Sequence, residues 1–156
     1  MKAYFPVLLV SAIFLIACNS GPTDNTGINQ KRSEKDSTYN ICYTSQIKKD
    51  TVLFNGLVFG DSIKGSLGYK LYEKQQQNGH LLGTVRGDTI WGLYTFMASD
   101  SVFVNEVTFL KTDSMMIEGI GNRLLVGKKF VFDDTSKVRY IGIKLARTDC
   151  RQLPQR

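Results

Sequence analysis

The chain predicts an all-β domain, an antiparallel meander of about eight strands that closes into a small barrel, with a two-sheet sandwich as the alternative. Three observations carry this. A short motif, Asp then Ser or Thr then an apolar residue, recurs along the chain. Apolar and polar residues alternate with period two in several segments. No segment after residue 18 shows a sustained helical period, although Arg123 to Lys129 has room for a short helical turn.

The motif appears as Asp50-Thr51-Val52, Asp61-Ser62-Ile63, Asp88-Thr89-Ile90, Asp100-Ser101-Val102 and Asp113-Ser114-Met115. Asp tolerates turn conformations and bonds its own backbone, whereas β-branched residues favour extended chain. Each copy therefore reads as the end of a turn and the start of a strand. The copies are 11, 27, 12 and 13 residues apart, and the long step has room for two strands. Gly60-Asp61 and Gly87-Asp88 have the composition of tight hairpin turns, and Gln77-Asn78-Gly79 is the expected turn inside the long step. The stretch Gly60-Asp61-Ser62-Ile63-Lys64-Gly65 also parallels Gly87-Asp88-Thr89-Ile90-Trp91-Gly92.

These signals place strands at 39–46, 50–58, 62–72, 80–87, 89–97, 102–110, 114–121 and 137–147. In the third, Ile63, Leu67, Tyr69 and Leu71 share one face, with Lys64, Ser66 and Lys70 on the other. In the last, Ile141, Ile143 and Leu145 alternate with Tyr140, Gly142 and Lys144. Short connections throughout make a meander, and closure removes its exposed edges. Gly65, Gly83, Gly92 and Gly119 fall inside strands, where glycine permits bends or close backbone approach.

Ahead of this domain the sequence has a different character. Lys2 is followed by an almost wholly apolar stretch, Val7 to Ala17, too short to span a bilayer core of about 30 Å but suited to a signal-peptide core. It ends in Leu15-Ile16-Ala17-Cys18, which resembles the lipobox of bacterial lipoproteins. The resemblance implies cleavage before Cys18 and its acylation, hence a lipid anchor in the bacterial cell envelope. An ordinary signal peptide with an incidental Cys is the alternative. Asn19 rather than Asp follows the Cys, which points to the outer membrane. From Asn19 to about Ser37 the chain is polar and expected to be a disordered tether. The organisation is then a signal peptide (1–17), a lipidated Cys and tether (18–37), and a barrel-like domain (38–156).

Setting Cys18 aside leaves Cys42 and Cys150, near the two ends of the domain. In an oxidising compartment an even remainder reads as a disulfide, with two free buried thiols as the alternative. The cysteines are not clustered and His80 is the only His, in an expected turn, so no metal site and no cofactor are expected.

The lipobox, the tether and the strand rhythm together resemble small bacterial envelope lipoproteins that carry a lipocalin-like eight-stranded barrel. Neither the Cys-x-x-Cys pair of the copper and envelope-stress type nor the motif of the membrane-bound C-type lysozyme inhibitors is present, so neither of those activities is implied.

No catalytic constellation is visible: there is no Gly-x-Ser-x-Gly elbow and no phosphate-binding glycine loop. The protein is not expected to be an enzyme. Asp133-Asp134 reads as a solvated loop. Glu106 and Glu118 lie within otherwise apolar strands and are expected to face water, because an inward carboxylate would need a partner such as Arg86.

Aromatic residues suggest binding. Tyr69, Trp91, Tyr94, Phe96, Phe103 and Phe109 cluster in the central strands, and strand 89–97 is apolar on both faces: Ile90, Tyr94 and Phe96 on one, Trp91, Leu93 and Met97 on the other. One face must be core; the other is either covered by the chain or open to a small apolar ligand or an envelope protein. Charge points elsewhere. Residues 122–156 hold nine Lys or Arg against three Asp, the whole excess of +6, while residues 1–121 carry eleven of each sign. The alternative to a binding module is an interaction or structural protein whose barrel is filled by its own side chains, with Lys128, Lys129, Arg139 and Lys144 as the candidate basic surface for an anionic partner and inhibition of a hydrolase as one variant. The compartment rules out nucleic acid, and a monomer is expected.

Overall fold

Every copy of the Asp-Ser/Thr motif opens a strand. The computed structural model describes residues 37–153, all within one compact unit. The signal peptide, Cys18 and nearly all of the tether lie outside the described residues. The strands are β1 (Thr38–Ile47), β2 (Asp50–Phe59), β3 (Ser62–Lys70), β4 (Gln77–Arg86), β5 (Thr89–Ala98), β6 (Ser101–Lys111), β7 (Met115–Glu118), β8 (Arg123–Val126), β9 (Lys129–Phe132) and β10 (Lys144–Arg147). Short 3₁₀ turns cover Thr135–Lys137 and Cys150–Gln152.

Strands β1 to β7 and β10 close an antiparallel eight-stranded barrel. Neighbours pair in chain order from β1 to β7, and β10 fits between β7 and β1. The hairpins turn on two residues: Lys48-Lys49, Gly60-Asp61, Gly87-Asp88 and Ser99-Asp100. Gly60 and Gly87 both adopt φ 56°, the left-handed region where a side chain is strained.

The interior is packed. Ile41, Val52, Phe54, Ile63, Leu67, Leu81, Ile90, Tyr94, Val107, Phe109, Met116 and Leu145 belong to one continuous buried cluster. Two pairs of facing glycines bend the wall around it. Gly56 stands opposite Gly65, and Gly83 opposite Gly92. A Cβ on Gly65 would lie 2.0 Å from the Asn55 carbonyl oxygen, and one on Gly83 would lie 2.3 Å from that of Trp91. No side chain fits at either position.

Closure is uneven. β2 and β3 pair along their whole length, whereas β1 and β10 pair only through Tyr43–Arg147 and Thr44–Ala146. The Cys42–Cys150 disulfide spans this thin seam, joining β1 to the turn just past β10. β7 meets β6 only at its end, Phe109 to Lys111, so the first half of β6 lies beyond the reach of β7. There β9 runs parallel to β6, with Val104 opposite Lys129 and Asn105 opposite Phe130.

Several expectations need correction. Arg123–Lys129 is not a helical turn but one arm and the bend of the β8–β9 hairpin, because Gly127 (φ 64°) and Lys128 supply a two-residue turn between Val126 and Lys129. Gln77-Asn78-Gly79 is not a turn. It begins β4, with Gly79 opposite Phe96, and the turn lies earlier, between Leu71 and Gln76. His80 is therefore an exposed strand residue paired with Ser66 and Thr95. The last strand is four residues long. Upstream of it, Arg139 bridges Ile120 and Ile141 is exposed, so of the alternating residues only Ile143 and Leu145 face the core.

Candidate functional site

The barrel has two ends. β1 begins at one; at the other β3 ends, β4 starts and β6 starts. A cavity of about 240 Å³ opens at this second end. Leu71, Val107 and Ile143 give it apolar walls, and Lys74 and Arg123 bring positive charge to it.

Its polar lining is unusual for a barrel interior. β7 turns Met116 inward, and the two-residue strand period places Glu118 on the same side. Tyr69 Oη donates a hydrogen bond to Glu118 Oε1 at 3.0 Å. Burial raises the Glu118 carboxyl above the usual carboxylate range; the Tyr69 hydroxyl, the Ile143 backbone and the Arg123 charge oppose this. Burial, and then the neighbouring Glu118, push the Tyr69 hydroxyl well above its ordinary value. The Tyr69 and Tyr94 rings meet edge to face at 5.9 Å, and Tyr94 stacks on Phe96 at 4.9 Å. Burial alone raises the Tyr94 hydroxyl.

Two polar atoms in this lining lack hydrogen-bond partners among the described residues: Tyr94 Oη and Asn105 Oδ1, both buried. An unpaired buried polar atom costs roughly 1–3 kcal/mol, so such groups are rare and call for a reason. Both line the cavity that holds Glu118.

Four of the aromatic candidates are thus divided. Tyr69 and Tyr94 line the cavity, Phe96 packs behind Tyr94, and Trp91 lies on the opposite side of the wall. Trp91 is half buried by the chain itself, its ring 5.5 Å from Phe132 of β9 and its Nε1–H donating to Glu106 Oε1 at 2.7 Å, and its remaining surface lines a shallow pocket with Thr84, Arg86, Thr89 and Thr135. Glu106 Oε2 accepts the Phe132 backbone N–H at 2.8 Å. Close by, Thr108 is fully buried on the outer face, bonded to the Ile90 carbonyl and within 3.2 Å of the Tyr140 hydroxyl. Leu93 and Met97, on the same outer face as Trp91, remain exposed.

The carboxylates also depart from expectation. Glu118 faces the interior, and its partner is Tyr69 rather than Arg86. Glu106 faces outward but is half buried beneath the hairpin, satisfied by Trp91 and Phe132. Of the basic candidates, Lys128 and Lys129 sit at the hairpin turn, Arg139 in the bridge to Ile120 and Lys144 at the start of β10, all exposed. Among the described residues no group of three or more His, Cys, Asp or Glu is placed to hold a metal ion.

Asn105 and Glu118 were the residues sequence reasoning did not select for the cavity. The signal was present in their parity: Asn105 shares a face with Val107 and Phe109, as Glu118 does with Met116. Fold and site together define a packed eight-stranded barrel with a small cavity in one mouth, walled by apolar residues and carrying a few polar groups. Comparison with protein families, curated proteins and solved structures finds no match for this chain.

Proposed function

We propose that this protein is a lipid-anchored binding module of the bacterial cell envelope that holds a small molecule in the mouth of its barrel. The observation that carries the reading is the convergence of Tyr94 Oη and Asn105 Oδ1, buried and unpaired, on one cavity. A ligand with an acceptor for the Tyr94 O–H and a donor for Asn105 Oδ1 would satisfy both, and the Glu118 carboxyl offers a further acceptor. Leu71, Val107 and Ile143 would cover an apolar portion, and Arg123 and Lys74 favour an anionic group outermost. The volume suits a ligand smaller than typical drug-sized molecules. The lipobox-like Leu15-Ile16-Ala17-Cys18 supports the anchor, and Asn19 supports the outer membrane as its location.

Native mass spectrometry on the full chain, released gently from its membrane, tests the proposal. A stoichiometric adduct is expected, and Asn105→Leu should weaken its retention by roughly tenfold or more. A bare chain from every preparation, or an adduct indifferent to both Asn105→Leu and Tyr94→Phe, would overturn it.

A further inference from the structure

We infer that the β8–β9 hairpin is a docking element for an anionic lipid surface. Leu124, Leu125 and Val126 follow one another and are 51%, 61% and 60% exposed. Their register distributes them over both faces of the ribbon. Leu125 lies opposite Phe130 on the face that carries Phe132, while Leu124 lies opposite Val131, and Val126 opposite Lys129, on the other. Among the described residues β8 is also the outermost strand of the sheet, with no neighbour beyond it.

This geometry selects the partner. A protein packed against one face of the ribbon would leave the apolar residues of the other in water. A strand added to the β8 edge would pair its backbone and still cover neither face fully. A lipid interface surrounds a protruding tip on both faces at once.

Charge agrees with that choice. Arg123, Lys128 and Lys129 bracket the apolar residues, and no acidic residue occurs from 119 to 132. None of the three makes an ion pair among the described residues; Arg123 lies over the Phe132 ring at 5.0 Å. Long cationic side chains beside an apolar tip match anionic headgroups above a hydrocarbon layer. The unpaired outer edge of β8 limits the depth: its peptide groups need partners, so the tip rests at headgroup level.

The parallel pairing of β9 with β6 sets the hairpin turn beside the start of β6, at the end of the barrel where the cavity opens. Arg123 belongs to both features. Docking would therefore hold the cavity mouth against the lipid surface. The inference rests on the hairpin residues and stands whether or not the cavity holds a ligand.

The test is hydrogen–deuterium exchange on the full chain in two kinds of vesicle, phosphatidylcholine alone and an equimolar mixture with phosphatidylglycerol. Because exchange is read locally at residues 124–129, attachment elsewhere in the chain does not mask the result. Exchange there is expected to slow by about tenfold or more in the anionic vesicles relative to the neutral ones. The paired change Lys128→Glu and Lys129→Glu should abolish the difference, as should Leu124→Ser with Leu125→Ser, without altering exchange in β2–β5. Equal exchange in both vesicles, whether fast or slow, would overturn the inference. So would protection that appears in detergent as protein concentration rises, which would assign the tip to a second copy.

Discussion

Glu106 joins two elements far apart in the chain: one carboxylate oxygen takes the indole N–H of Trp91 on β5, and the other takes the backbone N–H of Phe132 on β9. The hairpin pairs with the barrel at only two positions, so this carboxylate is a principal fastening between them. Glu106→Ala removes an acceptor from two N–H groups at once, which predicts a loss of roughly 2–4 kcal/mol in urea unfolding. Glu106→Gln keeps one acceptor oxygen and should cost about half as much. The same series should release Trp91 toward water, read as a red shift of its fluorescence.

Glu118 predicts a pH dependence of the less common sign. Its folded pKa is raised by burial, so between its ordinary value of 4.5 and the raised value the folded protein holds a proton that the unfolded chain releases. Its contribution to stability is fully present below the unfolded pKa and is lost as pH rises through the folded one. Asp134 and Asp149 have lowered pKa values, from hydrogen bonds with Ser136 and Arg151 respectively, and act in the opposite direction further into acid. Denaturant unfolding followed as pH rises from 4.5 should show stability declining with pH, and Glu118→Gln should flatten that decline. An unchanged slope in the variant would assign the effect elsewhere.

The glycines separate two kinds of cost. Gly87 has open space around it but φ 56°, so Gly87→Ala should cost about 1–2 kcal/mol through backbone strain alone. Gly65→Ala would force a methyl group against the Asn55 carbonyl and should cost roughly 3 kcal/mol or more, or prevent folding. Thermal unfolding of the two variants side by side tests the order, which reverses if the glycine pairs are not closely opposed.

The Cys42–Cys150 disulfide closes a separation of 108 residues across the seam where β1 and β10 pair least. Reduction, or Cys42→Ser with Cys150→Ser, is expected to cost about 2–5 kcal/mol. Exchange should then rise first in β1 and β10 and last in β2–β5.

The sequence showed the strands where turn chemistry and alternation were both strong. Asp50, Asp61, Asp88, Asp100 and Asp113 each stand at a turn leading into β2, β3, β5, β6 and β7. Its signals failed where one of the two was missing. Arg123–Val126 is a four-residue strand, too short for a period to show, and its exposed Leu124, Leu125 and Val126 resemble core. Gln77-Asn78-Gly79 has turn composition but is strand, and glycine is required at 79 because a Cβ would meet the Thr95 carbonyl at 2.0 Å. The cavity was hidden for a different reason. Inward polar residues are costly, so Glu118 was assigned to water although its parity pointed inward. The aromatic count found Tyr69 and Tyr94, but counting could not tell which side of the wall Trp91 occupies.

The opposed glycines have a consequence for how such a barrel can change. Gly56 and Gly83, Gly60 and Gly87, and Gly65 and Gly92 are each separated by 27 residues, so β2–β3 and β4–β5 share one layout of bend, turn and bend. Deleting a single strand would reverse the direction of every strand after it. Deleting or duplicating a whole 27-residue block preserves direction and the inside–outside order alike. The unit of variation in this fold is the hairpin, and circumference is open to adjustment only in even steps.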